Sequence, residues 1–463
     1  MVDLRLGAGI AAGRLSGALI RTLGLGGATT VPGRVARVLV PDLLARLGRG
    51  LARGSVLVSG TNGKTTTARL LAWICRRAGW ACIHNRAGAN LPAGIAAALV
   101  AHSSLDGRVR GDLGVFEVDE AALPLVSGAL RPRILVLGNL FRDQLDRYGE
   151  IDLVADRWRA ALRDLPVDAA VIYNADDPLV ADVVRNRAGA RTFGIADPSL
   201  RRGERLEHAA DGRYCYRCGV PYAYRAAYLG HLGEYHCPSC GTARPPLDVG
   251  AVEVRLDGMA GSTFVLAAGG QRVALTTVLP GLYNVYNVVA AAAAVLALGI
   301  PLPIVAAAVR EFTPAFGRGE SMTIAGHPAY MLLAKNPAGF NEVLRTVLAD
   351  GRPIVAVIAI NDLTADGRDV SWLWDVDFEM LSDRCRLAVV TGMRAHDMAV
   401  RLKYAGLPQA AVVVEPDEGR ALRRGVEALR AGEPLYVLPT YTAMLRLRHI
   451  LARRGLVHTS WED

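Results

Sequence analysis

The stretch SGTNGKTTT, residues 59–67, has the residue types that bind phosphate groups, and it stands between an apolar run and an amphipathic segment. Two glycines let backbone N–H groups turn towards phosphate oxygens, and a helix that starts here adds partial positive charge. Lys64 can reach the terminal phosphates of a nucleotide, and Thr65 can place its hydroxyl on Mg²⁺. The generic spacing is met only in part, because Val58 stands where a further glycine is usual. The predicted nucleotide-binding residues in this stretch are Gly60, Thr61, Asn62, Gly63, Lys64, Thr65 and Thr66.

The scarcity of lysine supports this prediction. The 463 residues include only three lysines, Lys64, Lys335 and Lys403. One of them stands at the position where phosphate binding needs a lysine. An ordinary glycine-rich turn between a strand and a helix is therefore the weaker interpretation.

Four cysteines form a second candidate site. Cys215 and Cys218 make one C-x-x-C pair, Cys237 and Cys240 make another, and 18 residues separate the pairs. This spacing is typical of a zinc ribbon, and the glycine after each pair permits the tight turn that directs two sulfurs at one ion. Because four thiolates leave no open coordination position, we predict a structural zinc rather than a catalytic one. A redox pair and coincidental spacing are the alternatives.

The other cysteines and two nearby histidines are not expected to bind metal. His231 and His236 are predicted to be surface or packing residues. The remaining cysteines, predicted to be small buried hydrophobic residues, are Cys75, Cys82 and Cys385.

The acidic loop, residues 360–379 (INDLTADGRDVSWLWDVDFE), follows an apolar run and contains five aspartates and two tryptophans. It could belong to an active site, a metal site or a docking surface, or it could be a solvated turn. A metal loop is disfavoured because DLTADGRDV departs from EF-hand spacing. Asp362 directly follows the predicted strand, while Asp366 and Asp369 lie closer to the tryptophans.

The bulk composition narrows the class of protein. Hydrophobic residues make up 51% of the chain, which is enough for several cores. The net charge of +9 favours anionic partners, but the arginines are spread out and dedicated nucleic-acid binding is not expected. Arg5, Arg14 and Arg21 interrupt any secretory signal, and Pro301 and Pro303 interrupt the most apolar run. A cytoplasmic protein with reduced cysteines is predicted.

Alternating strands and helices are predicted to position these residues. Residues 1 to about 50 have helical patterns, and from Ser55 short β-rich runs alternate with amphipathic segments, which indicates a parallel sheet covered by helices. The β-rich runs of this region are SVLVSG, LGVFEV, RILVLGN and AAVIYNA. Residues 250–279 alternate like antiparallel strands, and a pair of helices is predicted over 284–313.

The strand and helix pattern starts again in the last third of the chain. Strands are predicted at PIVAVIAI, LAVVTGM, AAVVVEP and PLYVLP. This restart indicates a second domain. We predict domains at 1–320 and 321–463, with the zinc ribbon inserted at about 205–248.

Six motifs, in order, resemble those of the Mur ligases and folylpolyglutamate synthetases, which join an amine to a carboxylate through an acyl phosphate. The motifs are GTNGKTT, FEVDEA, NLFRDQLDRYGE, LPGLYNVYNVVAAAA, FGRGE and LLAKNPAGFNEVL. The resemblance implies an α/β fold with a Mur ligase-like central P-loop domain and a C-terminal Rossmann-like domain. It also implies that Glu117 binds Mg²⁺, that Asn287 meets the nucleotide and that Arg318 supports the phosphates.

Three positions depart from that family. Gln144 replaces a metal-binding histidine after Asp143, and in LLAKNP Leu332 and Lys335 replace an aspartate and a histidine. Many Mur ligases also carry a carbamylated lysine that helps to hold Mg²⁺, and no lysine lies between Lys64 and Lys335. The nucleotide site is expected to be intact, whereas the handling of the amine must differ.

With its ribbon, the chain resembles the MurT family, the synthetase subunits of lipid II isoglutaminyl synthase, over essentially its whole length. That resemblance implies an ATP-dependent, cytoplasmic enzyme at the inner membrane face that amidates the α-carboxyl of D-glutamate in the stem peptide of lipid II. It implies ATP, Mg²⁺ and structural zinc as cofactors. It also implies a heterodimer with GatD, a glutaminase that supplies ammonia, and no nucleic acid.

The acidic loop gains a role from this resemblance. In the MurT family the synthetase subunit is thought to lend a carboxylate to the cysteine–histidine pair of GatD, and no such glutaminase motif is recognisable here. The predicted catalytic candidates are Asp369, Asp366 and Asp362, with Trp372 and Trp374 as docking aromatics. The alternatives are a stand-alone Mur or folylpolyglutamate-type ligase and a non-catalytic nucleotide-binding scaffold.

Overall fold

Two β-sheets, one of nine strands and one of six, organise the part of the chain that the structure describes. This structure is a computed structural model. It describes residues 3–23, 29–85, 88–142, 151–201, 206, 210–313 and 318–457.

The nine-stranded sheet contains the strand that leads into the phosphate-binding stretch. Its strands are β1 (Ser55–Ser59), β2 (Cys82–His84), β3 (Leu113–Glu117), β4 (Ile134–Leu137), β5 (Ala170–Asn174), β6 (Arg191–Ile195), β9 (Val249–Leu256), β10 (Ser262–Ala268) and β11 (Gln271–Thr277). They lie in the order β11-β10-β9-β6-β5-β4-β1-β3-β2. The seven strands that run from β9 to β2 in this order pair in parallel. Strands β10 and β11 extend the sheet beyond β9 as antiparallel strands.

Helices cover both faces of this sheet. In chain order they are α1 (Leu4–Thr22), α2 (Val31–Leu39), α3 (Leu43–Gly48), α4 (Lys64–Arg77), α5 (Pro92–Ala101), α6 (Leu123–Leu130), α7 (Ile151–Asp164), α8 (Pro178–Val184), α9 (Leu282–Ala297) and α10 (Leu302–Glu311). Residues of β1 enter alternate cores: Val56 and Val58 pack with α4, α9 and α10, while Leu57 packs with α5 to α8 and the N-terminal helices. The sequence of a strand that is buried on both faces is a nearly continuous apolar run, and β1 has such a sequence.

The six-stranded sheet begins at Arg318, close to the predicted domain boundary. Its strands are β12 (Arg318–Ile324), β13 (His327–Leu332), β14 (Ile354–Ala359), β15 (Cys385–Thr391), β16 (Val412–Val414) and β17 (Leu435–Pro439). The order is β12-β13-β17-β14-β15-β16, and only the β12–β13 pair is antiparallel. The covering helices are α11 (Pro337–Val347), α12 (Ala395–Tyr404), α13 (Glu418–Glu427) and α14 (Tyr441–Arg453).

The cysteine pairs flank a short hairpin that is inserted in the sequence between β6 and β9 of the nine-stranded sheet. Strands β7 (Ala223–Leu229) and β8 (Leu232–His236) form this separate two-stranded sheet. None of the described helices is both long enough and apolar enough to cross a membrane.

The predicted strands and helices are confirmed, with six strands added that the sequence did not indicate. These are β2, β6, β7, β8, β12 and β13. The sequence pattern of these strands is weak for different reasons in the two large sheets. β2 has only three residues, whereas β12 and β13 contain Gly319 and Pro328, which weaken a strand pattern.

Candidate functional site

The phosphate-binding stretch forms a tight loop between the end of β1 and the start of α4. Gly63 has a φ of 85°, a backbone conformation that favours glycine. A Cβ at this position would lie 1.9 Å from Oδ1 of Asn287, so no side chain fits. The geometry thus brings Asn287, on α9, against the loop.

The loop after β4 holds the phosphate-binding stretch in shape. Asn139 accepts a hydrogen bond from the backbone N–H of Asn62 at 2.9 Å and donates one to its carbonyl at 3.2 Å. The hydroxyl of Thr61 donates to the carbonyl of Phe141 at 3.2 Å and accepts from its N–H at 3.1 Å. These bonds between side chains and backbone groups hold the loop in its shape.

Lys64 is buried and pairs with a carboxylate that the sequence analysis did not single out. Its ammonium lies 2.9 Å from Oε1 of Glu120, and both side chains are buried. It also donates to the backbone carbonyls of Thr61 at 3.2 Å and Gly60. The motif FEVDEA, which places Glu120 three residues after Glu117, is the sequence signal that could have found this partner.

Thr65 and Glu117 meet as the predicted Mg²⁺ ligands require. The Thr65 hydroxyl donates to Oε2 of Glu117 at 2.8 Å, and Glu117 is buried at the end of β3. The amide of Asn90 lies 3.4 Å from the other carboxylate oxygen. A hydroxyl and a carboxylate oxygen side by side are the hard oxygen donors that Mg²⁺ accepts, so these residues fit the ion.

A narrow cavity opens beside the loop. The residues that line it include Asn62, Lys64, Thr67, Asn174, Tyr286 and Asn287. The Thr67 hydroxyl donates to Asn287 at 3.3 Å, and Asn284 accepts from the Asn287 amide at 3.0 Å. Thr66 is buried in the first turn of α4. Of the predicted nucleotide-binding residues, Asn62, Lys64 and Asn287 therefore line one space.

The structure describes only some of the other residues that the family motifs singled out. Arg318 begins β12, and its side chain lies outside the described part of the chain. Asp143 and Gln144 also lie outside the described residues. Leu332 is buried in the core of the six-stranded sheet, and Lys335 is half-buried beside it.

The motif that contains Lys335 also joins the two sheets at the phosphate-binding loop. The amide of Asn336 donates to Oδ1 of Asn62 at 2.9 Å, and the amide of Asn62 lies 3.4 Å from Oδ1 of Asn336. The same Asn336 oxygen accepts the N–H of Gly339 at 2.8 Å and so caps α11. One asparagine thus fixes both the start of α11 and its contact with the loop.

The four paired cysteines converge on one point. Their sulfurs all lie within 4.8 Å of one another, with Cys215 to Cys240 at 3.6 Å and Cys218 to Cys237 at 3.4 Å, and all four thiols are free. Tetrahedral zinc with Zn–S bonds of about 2.3 Å needs sulfurs about 3.8 Å apart. Hydrogen bonding from Thr242 lowers the pKa of Cys240 to about 6, which favours the thiolate. The donor set and its spacing fit a zinc ion.

The cysteine hairpin is tied to the cavity by a buried carboxylate. Asp176, which follows β5, accepts from Arg244 at 2.9 Å, from Tyr286 at 2.7 Å and from the N–H of Ile195 at 2.8 Å. Burial raises the pKa of Asp176 to about 6 although Arg244 acts in the opposite direction. Since Tyr286 lines the cavity and Arg244 follows the second cysteine pair, the hairpin and the cavity share one polar network.

The histidines of the hairpin are not in the cysteine cluster. His231 is buried, with Nε2 3.4 Å from Asp177 and its ring packed on Phe141, whereas His236 is exposed. Both findings agree with the prediction of packing and surface roles. Of the remaining cysteines, Cys75 and Cys385 are buried and Cys82 is partly exposed.

In the acidic loop, Asp362 and Asp366 are bound by other residues of the same chain. Asp366 is buried and accepts the N–H of Thr442 at 2.7 Å and also its hydroxyl, at the start of α14. Asp362 pairs with Arg394, whose Nη2 lies 2.7 Å from Oδ2. Both carboxylates thus stabilise the fold around the loop.

Asp369 is the exposed member of the three. The N–H of Ser371 donates to its carboxylate at 2.8 Å, and this bond lowers the pKa of Asp369. The carboxylate is therefore charged at neutral pH and faces solvent.

The two tryptophans of the loop also differ in their exposure to solvent. Trp372 packs against Phe340 of α11, with ring centroids 6.2 Å apart, whereas Trp374 is 54% exposed. Trp374 lies 5.7 Å from the ring of the exposed Tyr404 on α12 and over the guanidinium of Arg401. Arg401 in turn donates to the carbonyls of Leu373 and Val376, which holds the loop on α12.

Comparison with known proteins places the chain among ligases of the Mur type. The Mur ligase middle domain matches residues 58–235, and the MurT ligase C-terminal domain matches residues 333–444. Among solved structures, MurF from Acinetobacter baumannii superposes with a TM-score of 0.67 at 18% identity, over 90% of this chain and 81% of that one. This likeness shows the shared fold.

Two relatives match nearly end to end. The lipid II isoglutaminyl synthase (glutamine-hydrolyzing) subunit MurT of Streptococcus pneumoniae is 32% identical over 98% of this chain and 99% of its own length. The subunit of the same name from Staphylococcus aureus strain COL is 31% identical over 92% of this chain and 93% of its own. The chain therefore belongs to the MurT family of ligase subunits.

Proposed function

We propose that this protein is the synthetase subunit of a lipid II isoglutaminyl synthase. It uses ATP to convert the α-carboxyl of D-glutamate in the lipid II stem peptide to an amide, and it works at the cytoplasmic face of the membrane. The match of MurT over 98% of the chain carries this proposal. The formed phosphate-binding loop, with Lys64 and Thr65 at the start of α4, supports it.

The chemistry needs an activated carboxyl group. A carboxylate oxygen attacks the γ-phosphorus of ATP, which forms an acyl phosphate and releases ADP. Ammonia then attacks the acyl carbon, and phosphate leaves as the amide forms. Lys64 offsets charge at the phosphates, and Mg²⁺ held by Thr65 and Glu117 would supply further positive charge there. Glu120 positions the Lys64 ammonium at the start of α4.

We assign the nucleotide to the space between the loop and α9. Gly60 to Thr66 face its phosphates, Asn287 lies against Gly63, and Arg318 is proposed to reach the phosphates from β12. The predicted domain limits are kept as a proposal: an ATP-binding domain at 1–320 with the cysteine ribbon at about 205–248, and a C-terminal domain at 321–463. The change from one sheet to the other near Arg318 supports this division.

The ammonia source is proposed to be a GatD-type glutaminase that binds the acidic loop as a heterodimer partner. Among the three candidate aspartates, Asp369 is the one that is exposed to solvent, and its lowered pKa keeps its carboxylate charged. Such a carboxylate can orient the histidine of a partner's cysteine–histidine pair. Asp366 and Asp362 are assigned supporting roles within the loop, because Thr442 and Arg394 occupy them.

The exposed aromatic pair formed by Trp374 and Tyr404 is expected to anchor this partner. Replacing Trp374 by alanine should weaken the complex at least about ten-fold. A tryptophan that the partner covers is among the residues that contribute most to the binding energy of an interface. Binding is measured by titration calorimetry. Tyr214→Ala removes an equally exposed aromatic residue of the cysteine region and should leave the affinity unchanged. Equal affinities for the wild type and Trp374→Ala would contradict this placement of the interface.

We propose that the cysteine cluster holds one structural zinc. Zinc analysis by plasma mass spectrometry should find one ion per chain. Cys218→Ser combined with Cys240→Ser should remove it and lower the melting temperature by about 3 °C or more, because the ion cross-links both ends of the hairpin. Cys82→Ser, which changes a partly exposed cysteine outside the cluster, is the control and should keep the zinc. A zinc-free wild type of unchanged stability would contradict the proposal.

The function itself is tested with the purified chain, a GatD-type glutaminase, lipid II, ATP and glutamine. Loss of one carboxylate charge from the stem peptide, seen by mass spectrometry, supports amidation. Addition of a free amino acid by this chain alone would instead support a stand-alone Mur or folylpolyglutamate-type ligase. Absence of ATP turnover under all these conditions would leave only a nucleotide-binding scaffold.

A further inference from the structure

Helix α1 turns a row of leucines towards solvent. Leu4, Leu15 and Leu19 are 82%, 71% and 60% exposed, and Leu23, which caps the helix, is 59% exposed. Their spacing places them on one side of a helix about 28 Å long. We call these four residues the leucine face. A row of this kind is uncommon on a surface that meets only water.

The opposite side of α1 fixes this orientation. Gly9 and Gly13 are buried against α2, and a Cβ at either position would come within 2.7 Å of Val40 and 2.8 Å of the Pro32 carbonyl. Only glycine therefore allows the two helices to approach this closely. The helix cannot rotate to bury its leucines without separating from α2, so the leucine face stays outward.

The N-terminal stretch that contains the leucine face is strongly basic. Residues 4–41 contain five arginines and no acidic residue or lysine. None of these arginines forms an ion pair with a residue that the structure describes. The acidic residues that flank the stretch, Asp3 and Asp42, both pair with Arg46 instead. Arg21 on α1 and Arg34 on α2 are exposed to solvent in the same pair of helices.

We propose that the leucine face and the neighbouring arginines bind the surface of an anionic phospholipid bilayer. An interfacial helix places apolar side chains at the level of the acyl chains and arginines among the headgroup phosphates, and the N-terminal helices carry exposed residues of both kinds. A second copy of the chain would bring two groups of five arginines together and is disfavoured by charge. This inference rests on the proposed function for the presence of a lipid substrate, and it adds the surface that reaches the membrane.

The position of the helices relates this surface to the nucleotide site. Gly33 of α2 packs against the backbone of Ala93, at the start of α5. Asn90, three residues earlier, contacts Glu117 at 3.4 Å. The membrane-binding layer is thus packed on the segment that borders the Mg²⁺ ligands.

Co-sedimentation of the full chain with vesicles tests the proposal. Vesicles of phosphatidylcholine mixed with phosphatidylglycerol should retain the protein, and binding should fall as salt is raised. Leu15→Ser with Leu19→Ser should lower the partition coefficient about ten-fold or more. Arg21→Gln with Arg34→Gln should cause a similar loss on the mixed vesicles and little change on phosphatidylcholine alone.

Matched variants and a second assay separate the possible outcomes. Leu125→Ser with Leu153→Ser removes two exposed leucines of α6 and α7 and should leave vesicle binding unchanged. Amidation of detergent-dispersed lipid II by the complex should be equal in the wild type and the leucine-face variant, so a failed function and a failed membrane surface are told apart. No binding of the wild type to anionic vesicles would overturn the proposal. A leucine-face variant that instead dissociates a dimer in light scattering would also overturn it.

Discussion

Replacing Lys64 by alanine is expected to lower ATP turnover by about 10³-fold or more. The ammonium is the one lysine charge at the phosphate-binding loop, and losing a positioned cation at a transferring phosphoryl group costs at least that much. Turnover is measured as ADP release by the chain with its glutaminase and lipid II. Lys403→Ala changes an exposed lysine of α12 and serves as the control. Turnover retained in Lys64→Ala would refute the assignment of the loop.

The structure adds a second effect to this substitution. Lys64→Ala leaves the buried carboxylate of Glu120 without its cation, which is expected to cost about 3 to 5 kcal/mol of stability. Lys64→Ala combined with Glu120→Gln removes the stranded charge, so its melting temperature should recover while ATP turnover stays lost. This double variant distinguishes a missing catalytic charge from an unfolded protein.

Replacing Asp369 by asparagine is expected to lower the partner's glutaminase activity by about 10² to 10⁴-fold. An asparagine keeps the shape but cannot stabilise the charged histidine of a cysteine–histidine pair. Glutamate release from glutamine is the measurement, and ATP binding by this chain should be unchanged. Asp375→Asn, in the same loop, is the control and should retain activity.

Asp366→Asn should behave differently. It weakens the bonds to Thr442 at the start of α14, so its main effect should be a lower melting temperature. If Asp369→Asn and Asp366→Asn both leave glutaminase activity intact, the carboxylate comes from elsewhere, and Asp362 becomes the next candidate.

The sequence indicated the central sheets because their strands are buried on both faces. Each residue of β1 and β3 is buried. A strand buried on both faces is a mostly apolar run, which can be recognised in the sequence without knowing the segments that pack on it. The loop between β1 and α4 could likewise be predicted, since its glycines and Lys64 serve a local geometry.

Contacts that depend on distant segments could not be predicted. Nothing in the acidic loop distinguishes Asp366 from Asp369, which are three residues apart. The N-terminus of α14, 76 residues later, covers one and leaves the other exposed. The partnership of Lys64 with Glu120 spans 56 residues in the same way. The two tryptophans differ because Phe340 lies beneath only one of them.

The pair of asparagines that joins the two sheets has a consequence for how this contact responds to the surrounding solution. The amides of Asn62 and Asn336 form neutral hydrogen bonds, so their strength does not depend on ionic strength or on any titration near neutral pH. Salt and acidity should therefore leave this contact unchanged. Asn62 also belongs to the loop that is proposed to face the phosphates. The contact between the two sheets and the phosphate-binding loop thus share one uncharged side chain.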